Sequence, residues 1–432
     1  MAEPLSGQVK ISSQKTLVAK EEIKNILDFK KEVEESLSKE TTDIIETLLA
    51  GSFYLEVSDI HLEPKKENLK LRIRIDGVLH DVLNFDLKTY QLLLSRIKLL
   101  SRLKLNINDR PQDGRFSILI EDFSVEVRTS SLPSEYGESL VLRVLNPKWV
   151  VGMEALGLRK DLLEIFNEQT KKPNGMIICT GPTGSGKTTT LYAFLLKIIN
   201  PEIKIITIED PIEYHLKGVS QSQVDEYKGY TFATGLRAIV RQDPDVILVG
   251  EIRDLETAQI SIQAALTGHL VLSTVHTNDA SGAIARLQAL GEKPANVSPA
   301  LNIVIGQRLV RKVCPKCVEF KEIPEELLER FKKSLSNLPP EIKIPELKPG
   351  IKIPYAKGCK DCSFTGYKGR LGIFEAFEVD DEIERFILKN PSIVDLKELA
   401  VKKGMVLMHL DGFIKVLNGI TTLTEIERVT GE

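Results

Sequence analysis

The chain predicts an α/β fold: a mostly parallel sheet with helices on both faces, preceded by a smaller α+β domain. Three observations carry this. From residue 158 to about 290, apolar runs at 176–180, 203–208, 245–249 and 270–275 alternate with helical segments, as in a parallel sheet covered on both faces. Between residues 59 and 145 the apolar period is instead close to two, with a single helical stretch. Between the run at 176–180 and a helical stretch, Gly181-Pro182-Thr183-Gly184-Ser185-Gly186-Lys187-Thr188 fits G-x-x-x-x-G-K-[ST], a phosphate-binding loop.

In chain order, residues 1–20 are polar without clear period and are expected to form a flexible lead. Residues 21–50 read as helical: Ile23, Ile26, Leu27, Val33 and Leu37 share a face, and Ile44, Ile45, Leu48 and Leu49 form a second stripe. Leu69, Leu71, Ile73 and Ile75 alternate with Lys70, Arg72, Arg74 and Asp76, and Asp76-Gly77 is a hairpin turn into Val78-Leu79-His80. A helix is predicted over 87–105, then strands at 115–120, 123–129 and 139–145. Leu145-Asn146-Pro147 closes this domain. Residues 313–372 are rich in Pro, Lys and Glu and bracketed by cysteine pairs, and 380–432 is helical in pattern.

With 432 residues the chain can bury a large core, and its formal charge of −3 argues against a protein built to coat nucleic acid. No apolar run approaches the roughly 18 residues of a membrane helix. The N-terminus lacks a charged start followed by an apolar core, so no signal peptide is expected and the cytosol is the expected compartment. Action at a membrane would then require a docking partner.

The spacing of the phosphate loop has a chemical reason. Its glycines let the backbone curl so that successive N–H groups face phosphate oxygens. Lys187 reaches the β- and γ-phosphates and Thr188 can ligate Mg²⁺. The helix read over Thr189 to Ile199 adds its positive dipole end.

Asp245-Val246-Ile247-Leu248-Val249-Gly250-Glu251 is an apolar strand ending in an acid. In open α/β sheets ligands sit at the carboxyl ends of strands, so Glu251 is expected beside the loop, holding Mg²⁺. A carboxylate capping the next helix is the plainer alternative.

Thr207-Ile208-Glu209-Asp210-Pro211-Ile212-Glu213 ends another strand in acids, one of which could deprotonate the attacking water. A solvated acidic turn is the alternative. His269 and His276 flank a strand and could sense the γ-phosphate or a neighbouring subunit, although a lone histidine is more often a core residue. Arg237 and Arg241 share a helix face, while Arg128 and Arg143 lie on polar rows of two small-domain strands. Each could neutralise phosphate charge, or simply be a surface arginine.

Cys314-Pro315-Lys316-Cys317 and Cys359-Lys360-Asp361-Cys362 form two C-x-x-C turns 41 residues apart. Four thiolates on two tight turns suit a closed, structural tetrahedral zinc site, and it would pin a long insert with little core of its own. Redox dithiols or unmetallated thiols remain the other readings. Cys179, on the strand before the loop, reads as a buried small apolar residue.

Together these motifs resemble the secretion-superfamily motor ATPases, namely type II secretion ATPases and type IV pilus assembly (extension) ATPases. Further segments carry the resemblance: Ser58-Asp59-Ile60-His61-Leu62-Glu63-Pro64, Arg74-Ile75-Asp76-Gly77, Pro111-Gln112-Asp113-Gly114-Arg115, Gly235 to Asp245, and Gly250-Glu251-Ile252-Arg253-Asp254. The match runs from about Ser58 to the C-terminus.

After the flexible lead and helical segment read from residues 1–50, it implies a small PAS-like α+β domain at 51–146, followed by a linker at 147–157. A RecA-like ATPase domain at 158–312, a zinc-binding insert at 313–375 and a helical subdomain at 376–432 would follow. It also implies a homo-hexamer hydrolysing ATP between subunits, cytoplasmic, and held at the inner membrane by platform proteins, with no direct nucleic-acid binding.

By the family pattern Gly181 to Thr189 hold ATP, Thr188 and Glu251 hold Mg²⁺, and Glu251 is the Walker B acid. Glu213 is the general base, His269 and His276 form the His box, and Arg237, Arg241, Arg128 and Arg143 face the nucleotide. The cysteine quartet favours an assembly motor, because retraction ATPases of this superfamily typically lack it.

Overall fold

The computed structural model describes residues 7–431 as two compact units. The first comprises the chain to Trp149 together with Cys314–Cys317 and Lys357–Lys368. The second comprises Val150–Val313, Val318–Ala356 and the chain from Gly369 onward.

The first unit runs β1 (Gln8–Lys10), α1 (Ser13–Glu22), α2 (Ile26–Ser36), α3 (Thr41–Tyr54), β2 (Asp59–Pro64), β3 (Leu69–Ile75) and β4 (Val78–Phe85). Then come α4 (Leu87–Leu100), β5 (Gln112–Ile120), β6 (Phe123–Ser134) and β7 (Gly137–Leu145). The strands form one sheet of order β1-β5-β6-β7-β2-β3-β4, antiparallel except where β1 joins β5 in parallel. Asp76 and Gly77 have φ of +50° and +81°, the left-handed pair that a two-residue hairpin needs.

The expected flexible lead at 1–20 is corrected over residues 7–20; residues 1–6 lie outside the described residues. Val9 pairs with Ile118, Ile11 is buried, and Ser12 caps α1. Only Ala19 of α1 is buried, so the segment shows no apolar stripe, and its order comes from edge pairing and packing on α3. Within this unit Lys98, almost fully buried, donates to both Glu138 carboxylate oxygens at 2.9 Å and to the Ile107 carbonyl at 2.6 Å. The pair locks α4 to the start of β7.

The second unit runs α5 (Lys160–Gln169), β8 (Gly175–Thr180), α6 (Lys187–Ile198), β9 (Ile205–Glu209), β10 (Ser220–Gln223), α7 (Phe232–Val240), β11 (Val246–Val249), α8 (Leu255–Leu266) and β12 (Leu270–Val275). It continues through α9 (Ala280–Ala289), α10 (Pro294–Ala300), β13 (Leu301–Val313), β14 (Val318–Glu322), α11 (Glu325–Leu335), β15 (Lys352–Ala356) and β16 (Tyr367–Glu378). It ends with α12 (Asp381–Ile387), α13 (Ile393–Lys402), α14 (Met408–Leu417) and α15 (Leu423–Thr430).

Its main sheet has the order β10-β9-β11-β12-β8-β13-β16, and every pair from β10 to β13 is parallel. Successive residues of β8 feed opposite faces: Met176 and Ile178 pack under α7 to α10, whereas Ile177 and Cys179 pack under α5 and α6. Both faces are apolar, so the strands read as continuous runs.

Sequence reasoning lacked β10, β13 and β16. Residues 367–375, expected inside the insert, are part of the central sheet. The insert, expected to have little core of its own, packs on the C-terminal helices. Leu328, Phe331, Leu335 and Ile353 share a core with Phe413, Ile414, Val416 and Ile426, and the Phe331 and Phe413 rings lie 4.8 Å apart.

Candidate active site

The C-terminal edge of the main sheet gathers the predicted motifs. Behind β8 the loop turns through left-handed glycines, Gly181 at φ +150°, Gly184 at +79° and Gly186 at +89°. A Cβ on Gly181 would lie 2.4 Å from the Gln307 carbonyl oxygen and 2.6 Å from Ser185 Oγ, so the backbone path requires glycine. Gly186 opens α6, and Lys187 is its first residue.

Lys187 is buried, and its Nζ donates to the Gly181 carbonyl at 2.8 Å and the Pro182 carbonyl at 3.2 Å. Burial lowers its pKa, against the pull of Cys179 and Glu251. Pro182, Thr183 and Gly184 are exposed at the loop tip and Thr188 and Thr189 half-buried on the first turn. Ser185 Oγ is buried without a hydrogen-bond partner among the described residues. A glycine-shaped loop with an orphaned hydroxyl and a lysine is a donor set that fits a polyphosphate.

Glu251 follows β11, its side chain 12% exposed, and pairs with Arg253 and with His276 Nε2 at 3.3 Å. Burial and Lys187 push the His276 pKa down, while Glu251 draws it up. The parallel order β11-β12-β8 puts Glu251, His276 and Lys187, which follow these strands, at one edge. The Thr274 hydroxyl donates to the Gly250 carbonyl at 2.8 Å, and Thr277 N–H donates to Thr180 Oγ1 at 2.9 Å. These bonds tie the end of β12 to the ends of β11 and β8.

Beyond β9, Glu209 is buried. It accepts from Tyr192 Oη at 2.5 Å, Thr207 Oγ1 at 2.6 Å and Gln221 Nε2 at 3.2 Å. Burial raises its pKa in spite of those donors. Asp210 is exposed and Glu213 half-buried.

The structure does not bring His269 to this edge. It precedes β12 at the opposite end, where its carbonyl accepts from the Gly175 N–H that begins β8, and its Nδ1 lies 2.9 Å from the Ala264 carbonyl oxygen. A six-residue strand spans roughly 20 Å. Arg237 and Arg241 are exposed at the end of α7, and Arg237 pairs with Glu256 of α8. Arg128 and Arg143 lie in the first unit, directly opposite one another on β6 and β7.

Sequence reasoning missed Tyr192, Gln221 and Gln307 altogether. Gln307 is buried on β13, and its Oε1 accepts from Thr190 Oγ1 of α6 at 2.7 Å. A lone glutamine carries no signal until the strand order is known.

The cysteine quartet falls in the first unit. All four Sγ atoms lie within 4.8 Å of one another, with Cys314 and Cys359 at 4.0 Å and Cys317 and Cys362 at 3.8 Å. A tetrahedral Zn–S₄ centre with bonds of about 2.3 Å has edges of about 3.8 Å, so the cage fits. The N–H groups of Cys359 and Gly366 donate to Cys362 Sγ at 3.2 and 3.3 Å. Ser363 Oγ accepts from Ile26 N–H at 2.9 Å, joining the second turn to the start of α2. Cys179 is fully buried, and burial pushes its thiol up to about 12.

Residues 34–428 match the family model described as type II/IV secretion system protein. Type II secretion system protein E of Aeromonas hydrophila is 45% identical over 390 residues, 90% of this chain and 75% of that protein. The type IV pilus assembly ATPase PilB of Thermus thermophilus is 40% identical over 428 residues, 99% of this chain and 47% of that protein. Among solved structures, the ADP-bound pilus retraction motor PilT superposes with a TM-score of 0.60 at 27% identity, covering 88% of this chain and 95% of that one.

Proposed function

The chain belongs to the type II/IV secretion system protein family, and from that premise we propose a motor ATPase driving pilin or pseudopilin assembly. The observation that carries the reading is the parallel order β11-β12-β8, which brings Glu251, His276 and Lys187 to one sheet edge, with Glu251 3.3 Å from His276 Nε2. The loop N–H groups and Lys187 bind and orient the triphosphate. Thr188 and Glu251 would hold Mg²⁺, which neutralises phosphate charge. Glu213 takes a proton from the attacking water, His276 senses the γ-phosphate, and Arg237, Arg241, Arg128 and Arg143 supply positive charge.

The working assembly is a homo-hexamer docked through platform proteins at the cytoplasmic face of the inner membrane. No helix among the described residues is long and apolar enough to cross a membrane. In a strain lacking the gene, the wild-type chain should restore pilus or pseudopilus assembly while Lys187→Ala should not. Restoration by the lysine variant would reject the motor. ATP hydrolysis that depends on added DNA would favour a nucleic-acid translocase instead.

The thiolates of Cys314, Cys317, Cys359 and Cys362 would hold one structural Zn²⁺ per chain. Protein purified without added zinc should carry close to one zinc per chain by elemental analysis, lost in Cys359→Ser. Well-folded, metal-free wild-type protein would remove this role. A closed site contributes to folding rather than chemistry, so the variant's thermal midpoint should also fall.

A further inference from the structure

We propose that Gln221 is a positioning residue for catalysis: it splints the segment 213–216 to the phosphate-loop helix and so fixes where Glu213 can reach. The proposal rests on the reading of Glu213 as general base.

The side chain of Gln221 uses both ends. Its Oε1 accepts from the Leu216 N–H at 2.8 Å. Its Nε2 donates to the Tyr214 carbonyl at 2.9 Å, to Glu209 Oε1 at 3.2 Å and towards Tyr192 Oη at 3.4 Å. It therefore holds two backbone groups of the turn that begins at Glu213. The same amide binds the buried Glu209–Tyr192 pair. Tyr192 lies on α6, the helix that Lys187 opens, and its ring meets Tyr214 edge to face at 6.3 Å.

The strand register explains why this residue can do so. Gln221 lies beside Thr207 and Gln223 beside Glu209 on β9, so β10 runs alongside the strand that delivers the acids. A base must sit within about 3 Å of the proton it takes, and misplacement by about 1 Å costs about 100-fold in rate. A two-ended amide on a sheet strand provides that fixation. The amide carries its donor and its acceptor on one planar group.

Gln221→Ala should therefore lower kcat by about 10- to 100-fold and leave the KM for ATP and nucleotide affinity within twofold. Gln221→Glu, equal in shape but unable to donate to the Tyr214 carbonyl and Glu209, should lose a similar factor. A residue that only stabilises the fold would not produce this split.

The decisive measurement is the double variant. In a Glu213→Gln background, Gln221→Ala should cost nothing further, because groups acting through one another are not additive. Three results would overturn the proposal: Gln221→Ala turning over within threefold of wild type, a rise in KM at unchanged kcat, or a full additional loss in the double variant. If Glu213→Gln itself remains active, the base assignment fails, whatever Gln221 does. Should Gln221→Ala not fold, Gln221→Asn, one methylene too short to reach Tyr214 and Leu216 together, carries the same expectations.

Discussion

Glu213→Gln is expected to bind ATP with nearly wild-type affinity and hydrolyse it about 10²- to 10⁴-fold more slowly. The amide keeps the size and most hydrogen bonds of the acid but cannot take a proton. The neighbouring acids are poorer candidates. Glu209 is buried and committed to Tyr192, Thr207 and Gln221, and its raised pKa reflects burial rather than readiness to act on solvent. Glu251 is paired with Arg253 and His276, a setting that suits a metal-holding acid. Asp210 is exposed and lies closer to the strand end. Glu213 is half-buried on a turn held by Gln221 beside the loop helix. Phosphate release and binding of a fluorescent ATP analogue check the two halves separately. Turnover within a few-fold of wild type would move the base elsewhere, with Glu251→Gln the next variant to measure.

How far the sequence exposed this site follows from the physics of its parts. The phosphate loop was legible because its glycines have conformations that few other residues adopt. The acids were legible because they follow largely apolar strands, at the edge where a parallel sheet places its ligands. His269 shows the limit of reading by proximity in sequence. It and His276 bracket β12, and opposite ends of one strand are opposite edges of the sheet, so only His276 reaches the site within one chain. The ordered segment at 7–20 was missed because its stability comes from edge pairing, not from a stripe of its own. The placement of the cysteine turns with the first unit was equally hidden, since contacts across more than 300 residues leave no local pattern. Gln221 was invisible for the same reason: its role is set by the strand beside it.

Arg143→Ala is expected to leave ATP binding nearly intact and reduce turnover by about 10³- to 10⁵-fold, the range for loss of an arginine finger. Arg143 belongs to the first unit and Lys187 to the second. Its Nε is held by Asp59 at 2.9 Å while its side chain stays 55% exposed. Asp59 orients the guanidinium, and a side chain more than half exposed can be reached from outside its own fold. Arg128, directly across the strand pair, is only 19% exposed and pairs with Glu126, so it is the less available of the two. Asp59 would keep Arg74 at 3.3 Å in the variant, and the small domain should fold without Arg143. If the finger completes the site of a neighbouring subunit, catalysis exists only in a closed ring. ATP would draw the arginine-bearing domain onto the phosphate, and product release would free it, a swing that could move a partner. Specific activity should then rise with protein concentration as rings form. A monomer at full specific activity, verified by light scattering under assay conditions, would exclude this mechanism. An Arg143→Ala variant that loses ATP affinity instead of turnover would recast the residue as a binding group.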